Sequence, residues 1–80
     1  MGANCIINSC ALIEHCARVA DHCHIATRAT INGNVKIGSG AFVGSGAVIK
    51  QGLEIGERVV IGMGISVRES VQGHQLYVKN

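Results

Sequence analysis

Residues 31–50 read INGNVKIGSGAFVGSGAVIK, and every sixth residue of this stretch, counted from its first, is Ile or Val. The spacing extends to both sides without a slip and gives eleven aliphatic positions: Ile7, Ile13, Val19, Ile25, Ile31, Ile37, Val43, Ile49, Ile55, Ile61 and Val67. A period of six fits neither the repeat of about 3.6 residues of an amphipathic helix nor the two-residue alternation of one long strand. It predicts a coil of short strands.

A second series of small or aliphatic residues follows the first at a distance of four positions. Its members are Ala11, Ala17, Cys23, Ala29, Val35, Ala41, Ala47, Leu53, Val59, Ile65 and Val71. Each hexapeptide therefore places two side chains inward. The residue directly after the aliphatic one is often glycine, as at Gly38, Gly44, Gly56 and Gly62. We expect these glycines to supply the conformational freedom that tight corners need.

Three hexapeptides make one triangular turn, so each residue should stack on the residue three hexapeptides further along, as in a solenoid. The pattern resembles the hexapeptide-repeat, left-handed parallel β-helix, and the handedness rests on that resemblance because periodicity does not set it. We predict an all-β fold of about four coils over residues 1–71. Residues 72–80 are expected to form a turn and a short C-terminal strand that covers the last coil.

Composition limits the classes of function. A chain of 80 residues buries a small fraction of its surface, which favours oligomerisation. The net charge of +2 is dispersed and aromatic residues are almost absent, so we expect no nucleic-acid partner. The chain contains neither a long apolar run nor a signal peptide, which predicts no membrane span and a cytoplasmic location. Met1 lies in the aliphatic register, as in a repeat entered midway, so we expect the C-terminal piece of a longer protein.

All four cysteines lie within the stretch from Cys5 to Cys23. Cys5 and Cys23 are three hexapeptides apart on the small inward position, so they should stack in adjacent coils as small core residues. A disulfide between them is geometrically conceivable but is not expected in a reducing cytoplasm. Cys10 and Cys16 fall on corner positions and should be more exposed.

Three of the four histidines lie between His15 and His24. His15 and Gly33 both take the third place of their hexapeptides and are one full turn apart, so the coil should stack them directly. His24 takes the sixth place and should lie on a different part of the triangle. In one chain His15 and His24 would not meet, whereas a threefold assembly could bring them together across a cleft between subunits. An isolated histidine at such a corner is more often simply solvated.

Residues 7–15, 24–26 and 33–38 together resemble the sugar O-acetyltransferase and nucleotide-sugar N-acetyltransferase family, which includes the sialic acid O-acetyltransferases. The resemblance extends along the chain without a gap. It implies an acetyl-CoA-dependent acetyltransferase domain that acts on an amino or hydroxyl group of a small-molecule sugar or nucleotide-sugar. It leaves the acceptor sugar and the choice between N- and O-acetylation open.

The resemblance also implies roles for individual residues. His15 falls on the general base, a task that suits imidazole because its pKa lies near neutral pH. His24 and Gly33 fall on positions that contact the acetyl thioester, Gly33 through its backbone N–H. Asn8 falls on a position associated with binding of the acceptor sugar.

Acetyl-CoA is expected in a groove between the subunits of a homotrimer, again by resemblance, with no metal required. The small residues around Gly44 and Gly62 would let the pantetheine arm approach the backbone, and corner geometry is the simpler reason for these glycines. Where the family commonly has an acidic residue after the catalytic histidine, this chain has Cys16. Glu14 or Asp21 could replace that residue, and we name Glu14 as the second catalytic candidate.

This chain differs from the family at both of its ends. The Gly-x-Pro-Ala tail of the family would start near Lys79, and the 80 residues do not include the N-terminal acceptor-binding domain that the resemblance leads us to expect. One alternative is therefore a truncated, non-catalytic β-helix that trimerises without turnover. Another is a metal-dependent enzyme similar to the γ-class carbonic anhydrases, for which His15, His22 and His24 offer imidazoles at the wrong spacing. The third is Cys16 as an acyl-carrying nucleophile, although side chains adjacent on a strand point apart.

Overall fold

The computed structural model describes residues 2–77. All regular elements in this range are strands of two residues, and it contains no helix. The strands are β1 (Ile6–Ile7), β2 (Leu12–Ile13), β3 (Arg18–Val19), β4 (His24–Ile25), β5 (Thr30–Ile31), β6 (Lys36–Ile37), β7 (Phe42–Val43), β8 (Val48–Ile49), β9 (Glu54–Ile55), β10 (Val60–Ile61), β11 (Ser66–Val67) and β12 (Leu76–Tyr77). The predictions for Met1 and for the tail at Lys79 lie outside the described residues.

The strands form three parallel sheets that make the faces of a triangular prism. Sheet A has the order β1-β4-β7-β10-β12, sheet B the order β2-β5-β8-β11, and sheet C the order β3-β6-β9. Partners are three hexapeptides apart, as in Ile7 with Ile25 and Ile25 with Val43. The fold is therefore a left-handed parallel β-helix of hexapeptide repeats with about four coils, which confirms the predicted fold class.

Three edges join the faces, and each is a column of stacked corners. The A–B edge consists of residues 8–11, 26–29, 44–47 and 62–65. The B–C edge consists of residues 14–17, 32–35, 50–53 and 68–70. The C–A edge consists of residues 2–5, 20–23, 38–41, 56–59 and 72–75.

The core is a narrow column built from the two inward series. The aliphatic series stacks in the middle coils with almost no accessible surface, and Ile25 and Ile49 have none. In the first coil the same series is less covered, and Ile7 is 36% exposed. Main-chain hydrogen bonds link successive coils, for example from the N–H of Ile6 to the carbonyl oxygen of Cys23 at 2.9 Å. Burial of aliphatic side chains contributes about 1.5–3 kcal/mol each, so the middle coils supply most of the stabilisation.

The corners repeat one backbone conformation, in which the residue before the small inward position has a positive φ. Glycine takes this position at Gly40 (φ 73°), Gly46, Gly52 and Gly64. Elsewhere residues with a Cβ adopt it at φ of 55–62°: Asn4, Cys10, Cys16, His22, Arg28, Asn34, Arg58 and His74. Left-handed backbone is unfavourable for most residues with a Cβ.

We expected the glycines directly after the aliphatic positions to supply conformational freedom at the corners, and this explanation is wrong. Gly38 and Gly44 do not have a positive φ. A Cβ on Gly44 would lie 2.7 Å from the carbonyl oxygen of Ile61 and from the nitrogen of Met63 in the next coil. Gly38 and Gly44 are needed because the backbones of neighbouring coils approach closely at these positions. The glycines with a positive φ, Gly40 and Gly46, lie two positions later in the chain.

The last coil is shorter than the others. Ile55 pairs with Val71, and Val60 pairs with Leu76, so each of these partners comes two positions earlier in the chain than a full turn would place it. The corner after β11 has therefore lost two positions, including its small inward one. The sequence placed Val71 in the small inward series, which is wrong, because Val71 takes the aliphatic position above Ile55. Strand β12 then pairs with β10 at the end of sheet A.

The three outer faces differ in polarity. Sheet A presents mainly apolar side chains outward, namely Ile6, Phe42, Val60 and Leu76 beside His24. Sheet B alternates the apolar side chains of Leu12 and Val48 with the polar ones of Thr30 and Ser66. Sheet C presents Arg18, Lys36 and Glu54 in one column. None of the elements in residues 2–77 is a helix long and apolar enough to cross a membrane.

Candidate functional site

The predicted site residues lie on two separate parts of the prism. His15 and Gly33 stack on the B–C edge, with Glu14 beside them. Asn8, Gly44 and Gly62 lie on the A–B edge, and His24 projects from the adjacent face of sheet A, in β4. A single chain does not bring His15 and His24 together, as the three-hexapeptide turn predicts.

The closest association is between His15 and Gly33. A Cβ built on Gly33 would lie 3.3 Å from Cε1 and 3.5 Å from Nε2 of His15, so the imidazole covers the glycine and buries it. The main chains are linked as well, because the N–H of Asn34 donates to the carbonyl oxygen of His15 at 3.3 Å. The predicted stacking is confirmed, and the lack of a side chain at position 33 is what gives the ring its place.

The backbone N–H of Gly33 has no hydrogen-bond partner among residues 2–77. Its carbonyl oxygen accepts from the N–H of Gly52 at 3.0 Å. Most corners leave the N–H of the third place unpaired in the same way, so the free donor comes from the corner conformation. At Gly33 this donor lies beside an imidazole. A group that accepts hydrogen bonds could be held there next to the imidazole of His15.

No carboxylate within the described range contacts His15. Glu14 is exposed, and only its main chain forms hydrogen bonds, including one from its N–H to the carbonyl oxygen of Ile31 at 2.8 Å. Asp21 lies on the C–A edge, where Oδ1 accepts from the N–H of Ala3 at 2.7 Å. Neither side chain orients the imidazole within one chain, and a catalytic role for Glu14 stays a prediction.

His24 has two partners on the outer face of sheet A. The side-chain amide nitrogen of Asn8 lies 3.1 Å from Nε2 of His24. An amide nitrogen only donates, so in this orientation Nε2 accepts and the proton of the neutral ring is on Nδ1. The ring of Phe42 meets His24 edge to face, with centroids 5.0 Å apart and planes at 76°. The two contacts fix the orientation of the imidazole.

Sequence reasoning missed the contact between Asn8 and His24. It assigned Asn8 to the acceptor and His24 to the thioester without relating them in space. The two-residue alternation of strands contains the signal. Position 8 continues the outward series of Ile6, which pairs with His24 in the next coil. Diagonal neighbours on one face of a sheet lie within reach of polar side chains.

The cysteines occupy the predicted places. Cys23 is buried, Cys5 is half-buried, and both Cys10 and Cys16 are exposed. Burial raises the pKa of the Cys23 thiol, and the neighbouring Cys5 thiol adds to the rise, while backbone hydrogen bonds at Ala41 and Gly40 oppose it. Between residues 2 and 77, no three His, Cys, Asp or Glu side chains of this single chain are grouped so that they could hold a metal ion.

These features define a hexapeptide-repeat β-helix that carries the imidazole of His15 on its B–C edge. Comparison with known families also finds hexapeptide repeats. Residues 16–51 match the family described as bacterial transferase hexapeptide (six repeats), and residues 34–69 match the hexapeptide repeat of succinyl-transferase. Together the two matches span residues 16–69, so the chain is similar to transferase hexapeptide repeats over that range. None of the curated proteins compared with it matched.

Proposed function

We propose that the chain is an acetyl-CoA-dependent acetyltransferase domain that acts on an amino or hydroxyl group of a sugar or nucleotide-sugar. The observation that carries the proposal is the imidazole of His15 packed over Gly33, beside an unpaired backbone N–H, on a scaffold of transferase hexapeptide repeats. A base next to a preformed donor is what acyl transfer to a hydroxyl or amine requires.

In the proposed reaction His15 takes a proton from the acceptor as its oxygen or nitrogen attacks the thioester carbonyl. The carbonyl oxygen becomes negatively charged, and the N–H of Gly33 stabilises it. A donor in this position contributes about 3 kcal/mol in other acyl-transfer sites. The C–S bond then breaks, the acetyl group stays on the acceptor, and the CoA thiolate receives a proton from the imidazolium of His15.

The polarity of the faces supports assembly as a homotrimer. Two of the three faces expose apolar side chains, among them Ile6 and Leu76 on sheet A and Leu12 on sheet B. The third face, sheet C, carries charged side chains at Arg18 and Lys36. Three prisms around an axis would cover faces A and B and leave face C in water, which avoids a large exposed apolar surface.

This packing also accounts for the separation of the two histidines. When face B of one subunit faces face A of the next, the B–C edge of the first lies beside face A of its neighbour. His15 would then lie across the cleft from the neighbour's His24, with Asn8 beside His24. Acetyl-CoA would occupy this cleft. The proposal for Gly44 and Gly62 as pantetheine contacts rests on resemblance, because close packing of the coils already explains Gly44.

The experiment compares two matched histidine variants, His15→Asn and His74→Asn. Asparagine cannot act as a general base, and His74 lies exposed in the last coil, far along the prism from His15 in the first coil. With acetyl-CoA and a panel of amino-sugar and hydroxyl-sugar acceptors, release of the CoA thiol should fall at least about 100-fold in His15→Asn. It should be unchanged in His74→Asn.

A third variant, Gly33→Ala, probes the other half of the site. Its Cβ would press on the His15 ring at 3.3 Å, so we expect a loss of turnover between those of the two histidine variants. Equal activity in His15→Asn and the unsubstituted protein would disprove the assigned base. Absence of thiol release with every acceptor would remove the proposal as a whole.

The non-catalytic alternative has one observation in its favour. No carboxylate of the described range orients His15, so its basicity lacks the support common in base and carboxylate pairs. A trimeric species in sedimentation, combined with no protection of the chain by saturating acetyl-CoA in hydrogen exchange, would favour this alternative. Protection around Gly33 and His24 would favour the enzyme.

A further inference from the structure

Cys5 and Cys23 form the only stacked pair of cysteines in the inward series of the described residues. They directly precede β1 and β4, which pair in register, Ile6 with His24. Neighbouring strands lie about 4.8 Å apart, inside the range of about 4.4–6.8 Å between Cα atoms that disulfides span. The backbone therefore already holds the two Cα atoms at a separation that disulfides span.

The thiol groups of Cys5 and Cys23 make equivalent contacts in adjacent coils. The Cys5 thiol donates to the carbonyl oxygen of Ala20 at 3.0 Å, and the Cys23 thiol donates to that of Gly38 at 3.1 Å. Ala20 and Gly38 are themselves one full turn apart, so the two contacts are equivalent. Both thiols enter the core from the C–A edge, one above the other. They are close enough for Cys5 to contribute to the raised pKa of Cys23.

We propose that Cys5 and Cys23 are a dithiol site that a small disulfide, such as oxidised glutathione, converts to an intrachain disulfide joining the first two coils. The site shares no residue with the acetyl-transfer site, although Cys23 directly precedes His24. Its consequence concerns the first coil, whose inward residues are incompletely covered, as the 36% exposure of Ile7 shows. A covalent link to the well-buried second coil would fasten it.

Exposure sets the order of the two exchange steps. The half-buried Cys5 is accessible at the end of the described solenoid, whereas Cys23 is 1% exposed. The Cys5 thiolate attacks one sulfur of oxidised glutathione and expels the first glutathione thiolate, which takes up a proton. The Cys23 thiolate then attacks the sulfur of Cys5, forms the intrachain bond and expels the second glutathione. The protein loses two hydrogen atoms, and one glutathione disulfide becomes two thiols.

The test uses the whole chain with Cys10→Asn and Cys16→Asn, so that only the stacked pair can react. Asparagine suits both positions because it tolerates a positive φ. After incubation with oxidised glutathione and blocking of free thiols, trypsin cleaves after Arg18 and Arg28 and separates residues 1–18 from 19–28. Mass spectrometry without reduction should find these two peptides joined, and dithiothreitol should separate them.

Two further measurements make the outcome decisive. The same chain with Cys5→Ala should give neither the joined peptides nor rapid reaction at Cys23, because Cys23 is shielded. The oxidised protein should unfold at a temperature several degrees higher than the reduced protein, since the bond restricts the unfolded chain. A stable glutathione adduct at Cys5 that never converts to the joined peptides would overturn the proposal, as would joined peptides that form only in denaturant.

Discussion

The first coil, residues 2–19, and the second, residues 20–37, have the same backbone and differ in how it is covered. Their strands pair in register, and both have residues with a Cβ at the left-handed corner position, such as Cys10 and Arg28. Yet Ile7 is 36% exposed, whereas Ile25, directly beside it, is fully buried. A repeat thus fixes geometry in every coil, but each coil depends on its neighbours for stability.

The comparison separates positions that serve the fold from positions that carry chemistry. The inward series determines the coil, and it is the same in character in both coils. The outward and corner positions vary freely, and there the first coil has Asn8, Glu14 and His15 where the second has Ala26, Asn32 and Gly33. The candidate site forms where such positions in adjacent coils touch, as His15 does with Gly33.

The largest expected effect sharpens the difference in burial. Ile25→Ala should lower the free energy of unfolding by about 3–4 kcal/mol, because it removes a side chain enclosed by coils on both sides. Ile7→Ala should lower the free energy of unfolding by about 1 kcal/mol, because the Ile7 side chain is partly exposed in the folded protein. Urea denaturation of both variants measures the difference. Equal losses would mean that another copy or segment covers the first coil in solution.

The second expected effect separates the two kinds of glycine. Gly44→Ala should cost about 2–3 kcal/mol or more, because its Cβ would collide with the backbone of the next coil at 2.7 Å. The Cβ of Gly46→Ala would have no atom within 4 Å, so the cost comes only from placing alanine at a φ of 70°. Its cost should be about 1–2 kcal/mol. Denaturation midpoints of the two variants give the order, and a reversed order would contradict the assignment of close approach to Gly44.

These two glycines also show how far the sequence could go. The period of six was sufficient for the strands, the stacking of His15 on Gly33 and the inward series, because each follows from counting. It could not distinguish a glycine needed for space from one needed for φ, which depends on the path of the next coil. The period also could not place Val71. Counting assigns it to the small inward series, where a valine is acceptable, and nothing in the sequence shows that the corner after β11 is two residues shorter.

The third expected effect concerns strain in the corners of the first coil. Cys10→Gly should raise the free energy of unfolding by about 0.5–1 kcal/mol, because it removes the cost of a Cβ at a φ of 60°, partly offset by the greater freedom of glycine in the unfolded chain. Cys10→Asn should raise it less. Gly52→Ala, with φ of 80°, is the opposite substitution at an equivalent position and should destabilise. Thermal unfolding of the three variants under reducing conditions tests the sign of each.

The smallest expected effect appears only at alkaline pH and concerns the thiol at the boundary of the two coils. Burial raises the pKa of Cys23, with Cys5 adding to the rise, so the folded protein keeps this proton at a pH where the unfolded chain releases it. The resulting stabilisation is complete below the ordinary thiol pKa of about 8.5 and is lost as the pH rises through the raised value. Relative to Cys23→Ala, the unsubstituted protein should therefore lose stability between about pH 8 and pH 10. Urea denaturation with reductant at each pH measures this, with Cys16→Ala as the exposed-thiol control. A difference that stays constant across that range would show that the Cys23 thiol is more open to solvent than its 1% exposure indicates, and that the first coil separates from the second in solution.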